Sequence, residues 1–128
     1  MRPFEEAVAA ELRGLLRTHP PVRAVRLTVR EMMVARLEQG PLGAREVCDA
    51  VEGAVRAACR LAREMDVRDE VVEVVCRSAL EVVRGHGGES ARWLREARGT
   101  AYAVLDEVAR ERTGELTWLH IARDLTVW

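Results

Sequence analysis

The stretch from Val67 to Arg84 is so dense in valine that residue preference alone would extend it into a β-strand. Periodicity decides otherwise. Its polar residues Glu70, Glu73, Arg77, Glu81 and Arg84 recur at spacings of 3, 4, 4 and 3. In a helix they form one narrow stripe along an otherwise apolar cylinder, whereas a strand would scatter them over both faces. Such a cylinder must be covered on most sides, so the chain is expected to be all-α. This segment should be its central, most buried helix.

The remaining segments read the same way. Pro3 suits a first helical turn, and Phe4, Val8, Leu12 and Leu15/Leu16 share a face until His19-Pro20-Pro21 ends the helix. From Val22 to Gln39, Val25, Leu27 and Val29 alternate like a strand, but Val22, Val25, Val29 and Met32/Met33 fit a helix, which is adopted. Gly40-Pro41 closes it. Between 44 and 65, Val47, Val51, Ala54, Ala58, Leu61 and Met65 lie 4, 3, 4, 3 and 4 apart, the seam of a short antiparallel bundle. Asp66 is the expected N-cap of the next helix, with Asp69 completing a capping box. Ser90 is expected to cap a helix over 91–112, with a seam of Leu94, Ala97, Ala101, Val104 and Val108. A last helix is expected over 115–128, carrying Trp118, Ile121, Leu125 and Trp128.

About six antiparallel helices in one domain, 1–128, result. A shift of 47 residues aligns Ala44-Arg45 with Ala91-Arg92, Ala50 with Ala97, Ala54 with Ala101 and Ala62-Arg63-Glu64 with Ala109-Arg110-Glu111. Two related helical hairpins, 44–84 and 91–127, are therefore an open reading beside shared composition.

Composition limits the chemistry. The chain has 128 residues, one domain's worth, and a net charge of −1. All its basic residues are arginine, and with one Phe, one Tyr and three Trp the core must be aliphatic. Three cysteines at wide spacing make no disulfide framework. Cys48 and Cys59 would lie about 16 Å apart along one helix by its rise per residue. Cys59 and Cys76 can face each other across a hairpin. A zinc site wants four ligands in closer pairs, so no metal is expected. Acids at Glu5 and Glu6 interrupt any signal-peptide run, and no window is apolar enough for a transmembrane segment. A cytoplasmic protein is the expectation.

No reaction is compelled. Gly87-Gly88-Glu89-Ser90-Ala91 hints at a hydrolase nucleophile elbow, but Arg92 stands where close packing needs glycine, and no preceding strand is readable. The histidines His19, His86 and His120 are isolated from one another, and no Glu-x-x-His pair occurs. Neither a catalytic residue nor a cofactor is expected, and the chain leans away from enzymes. The leading expectation is a non-enzymatic, self-associating helical scaffold or protein-interaction module, its partner another copy of itself or another helical protein. Its candidate interface residues are Met32, Met33, Trp93, Trp118 and Trp128. The alternative is a small-molecule or anion-binding bundle, an enzyme among the options, built on the 85–95 loop with Ser90, Arg92 and Arg95. A regulatory nucleic-acid binder would instead use Arg17, Arg23, Arg26 and Arg30, five arginines and no acid lying between 13 and 30. The near-zero net charge argues against nucleic acid.

Overall fold

The computed structural model describes residues 3–40, 42–65, 67–86 and 90–111; among them the regular structure is all helical. The helices are α1 (Pro3–Leu16), α2 (Val22–Leu37), α3 (Ala44–Met65), α4 (Asp69–Arg84) and α5 (Ser90–Glu111). The all-α expectation holds, including the choice of helix for α2. The helix expected over 115–128 lies outside the described residues.

Helix ends follow local chemistry. In α1, Pro3 starts the helix, Glu5 and Glu6 sit in the first turn and Arg13 in the last, each sign matched to the helix dipole. The amides of Thr18 and His19 close the end by donating to the carbonyls of Leu15 and Leu16. His19 turns left-handed, φ 51°, immediately before Pro20. The start of α4 departs from expectation. Arg68 occupies the N-cap with no side-chain cap bond, and Asp69 is already helical. Asp69 stands inside the first turn, where its charge meets the dipole directly. Asp66 is outside the described residues.

The stripe on α4 is as expected: Glu70 and Arg84 are exposed, Glu73, Arg77 and Glu81 half-buried. Val72, Val75, Cys76, Ala79, Leu80 and Val83 are fully buried. Ser78 sits among them, its Oγ donating 2.6 Å to the Val74 carbonyl. The centre of the molecule, however, is α3. It packs on α1, α2, α4 and α5, whereas α4 does not reach α1. The reason is side-chain size. Ala50, Gly53, Ala54, Ala57 and Ala58 are all buried and let neighbours come close on several sides. At Gly53 a Cβ would stand 3.0 Å from Phe4 Cδ2 and 3.4 Å from the Glu5 amide nitrogen.

Successive helices run antiparallel, as expected, but packing across the chain is parallel. Glu6 meets Arg60 and Arg13 meets Glu64, so α1 and α3 point the same way. Arg56 with Glu107 and Arg63 with Glu111 show the same for α3 and α5. The beginnings of α2 and α4 line one cavity while Arg26 reaches Glu81 further along, so these two are parallel as well. One layer is thus α1–α3–α5 and the other α2–α4. Within the described residues, the backbone of the first hairpin makes no close approach to α5. The bounds of α2 and α4 differ by 47 at both ends, and those of α3 and α5 by 46. Buried residues recur at the same offset: Val25 and Val72, Val29 and Cys76, Met33 and Leu80, Ala54 and Ala101, Leu61 and Val108.

Candidate functional site

The arginine face foreseen on α2 is partly neutralised. Arg26 Nη2 donates to Glu81 Oε2 at 3.1 Å, and Arg30 Nη1 lies 3.7 Å from the same oxygen. Glu81 comes from the α4 stripe, so the two helices share charge across their groove. Arg17 and Arg23 are exposed on the first hairpin. The four arginines do not form a single cluster: Arg17 lies at the hairpin turn, and Arg26 and Arg30 face α4.

The densest charge lies elsewhere, along α1, α3 and α5. Arg60 Nη1 is 2.6 Å from Glu6 and 3.6 Å from Glu5, and its Nε is 3.4 Å from Glu64. Arg13 donates to Glu64 at 2.9 Å. Arg56 bridges Glu52 at 2.9 Å and Glu107 at 2.8 Å. The hydrogen bond from Arg60 holds the Glu6 carboxyl below its ordinary value, and the bond from Arg13 does the same to Glu64. Such groups stay ionised and matched, which suits register between helices and gives no proton donor or base near neutrality.

At the other candidate site, Arg92 Nε lies 3.7 Å from Glu96, an i,i+4 pair, and Arg95 is exposed beside Gly99 and Tyr102 in a shallow hollow. Residues 87–89 and the Ser90 side chain are outside the described residues, as are Trp118 and Trp128. Trp93 and Met32 are half-buried against the core. Met33 is fully buried, a correction to its reading as an interface residue: it points to the inner side of α2 with Val25 and Val29.

None of the three cysteines is in a disulfide. Burial pushes the Cys76 thiol well up, with a further contribution from Cys59, and burial also raises Cys48. Protonated thiols are poor nucleophiles and poor metal ligands. Among the described residues, no three His, Cys, Asp or Glu side chains converge as a metal-holding group. No helix there is long and apolar enough to cross a membrane.

Two surface features escaped the sequence reading. Leu27 and Val34 are 48% and 38% exposed on α2, one heptad apart, and the signal for them was present in that spacing. A cleft of about 520 Å³ between the turn after α1 and the turn before α4 includes Arg17, His19 and Arg68. Nothing local announces it, because it joins turns some fifty positions apart. Comparison with protein-family models, curated proteins and solved structures finds no match.

Proposed function

We propose that this chain is a non-enzymatic helical scaffold that pairs with a second copy of itself through the outward face of α2. The hairpin α3–α4 and the one that α5 opens are read as two units of a repeat about 47 residues long, and α2 stands at the same offset from α4. Stacked units bury their inner faces and leave an edge, and α2 lies on that edge. The observation that carries the reading is the exposure of Leu27 and Val34 on one line of α2.

The flanking charges favour a copy of the same helix. In an antiparallel pairing centred between Arg30 and Glu31, Leu27 of one copy meets Val34 of the other. Arg23 then faces Glu38, and Arg30, whose contact with Glu81 is 3.7 Å and therefore loose, comes opposite Glu31. All four charged residues are exposed. A two-fold interface needs such self-complementarity. Association with nucleic acid through Arg17, Arg23, Arg26 and Arg30 draws less support, because Glu81 takes up part of that charge.

Sedimentation velocity in the micromolar range is the test. A dimer is expected for the wild-type chain, and a monomer of unchanged helicity for L27E/V34E. A strict monomer in the wild type, or a dimer that survives both substitutions, overturns the pairing.

A further inference from the structure

The cleft between the two hairpin turns has the composition of a ligand site. Its walls are Leu16, Val22, Met65, Val67 and Val71, and its volume of about 520 Å³ lies within the usual range for small-molecule sites. Its rim carries Arg17 and Arg68, both exposed and, among the described residues, in no ion pair. This contrasts with Arg13, Arg56, Arg60 and Arg63, each held by a glutamate. His19, in its left-handed conformation, also faces the cleft. The first turn of α2, which opens here, contains no acid and has no side-chain cap. Glu70 is the one acid among the described lining residues.

We infer that this cleft binds an aliphatic carboxylate, its head between Arg17 and Arg68 and its chain along Leu16, Val22, Met65, Val67 and Val71. Guanidinium groups match a carboxylate in a forked, two-bond geometry. The apolar walls offer the chain a surface removed from water. Glu70 opposes a second negative charge, which selects a singly charged head over a dianion. The site is separate from the outward face of α2 and does not depend on self-association.

The test is a titration of the full chain with sodium octanoate below its micellar concentration, followed by amide chemical shifts. Saturable shifts confined to residues 16–22 and 65–71 are expected. Acetate has the head without the chain, and octyl glucoside the chain without the charge; both should bind at least about tenfold more weakly. The R17Q/R68Q variant, altered only at exposed positions, should keep its spectrum elsewhere and lose about tenfold or more in octanoate affinity, the scale of one charged hydrogen bond. Absent or non-saturating shifts in those segments, equal binding by the variant, or octyl glucoside binding as tightly as octanoate would each overturn the site.

Discussion

Gly53 shows how much of this fold rests on the absence of a side chain. It lies in the middle of α3, where glycine costs a helix about 1 kcal/mol relative to alanine. What it permits is the approach of α1: Phe4 and the Glu5 backbone occupy the space a larger residue would claim. Gly53→Val must push the Phe4 ring and the start of α1 outward, an overpacking expected to cost about 1–3 kcal/mol. Gly99, also helical, has nothing within 4 Å of the corresponding point. Gly99→Ala should therefore stabilise by roughly 0.5–1 kcal/mol through backbone entropy alone. Thermal unfolding of the two variants should shift in opposite directions, and a Gly53→Val protein as stable as wild type would show that α1 does not need the close approach. Position 53 was legible as a glycine in a helical pattern, but not as a contact. The residue it touches lies nearly fifty positions away.

Between elements, the parallel layer α1–α3–α5 is tied by arginine–glutamate pairs whose partners lie far apart in the chain. The pH dependence of stability should report them. Glu6 and Glu64 have folded values drawn below the ordinary 4.5 by Arg60 and Arg13. A depressed carboxylate adds stability that is fully present above its unfolded value and disappears as pH falls through the folded one. Melting temperature should thus hold through neutral pH and decline below about 4.5, and E6Q/E64Q should decline less over that same acid range. Identical pH profiles would mean that the exposed pairs carry no linkage, as many surface pairs do not. Helix positions were readable because the apolar spacing is local, and so was the stripe on α4. The centrality of α3 was not. Alanine and glycine raise no strong apolar signal, while a valine-rich helix does, so the reading favoured α4. The pairing of Arg26 and Arg30 on α2 was not legible for a related reason: Glu81 was counted as part of its own stripe rather than as their partner.

At the scale of the whole molecule, the described helices form a stack in which each hairpin contacts its neighbour and the backbone of the first makes no close approach to α5. The 47-residue offset seen in a handful of alanines has a physical counterpart in this stack. Ala50 with Ala97 and Ala54 with Ala101 are buried at both positions, whereas Arg63-Glu64 and Arg110-Glu111 are exposed, so the inner face accounts for only part of the similarity. An architecture of this kind distributes stability nearly in one dimension, so a defect at one end need not be felt at the other. Leu12 is fully buried on α1, at the end of the stack. Leu12→Ala should cost about 2–5 kcal/mol, as cavities of this size do. Even 2 kcal/mol corresponds to roughly thirtyfold in an opening equilibrium. Native-state hydrogen exchange should therefore accelerate by at least about thirtyfold in α1 and α2, while the slowest amides of α5, which open without the first hairpin, keep their wild-type rates. Acceleration by one common factor in all five helices would instead make the molecule a single cooperative unit. In that event the repeat would describe how the chain is laid out, but not how its stability is divided.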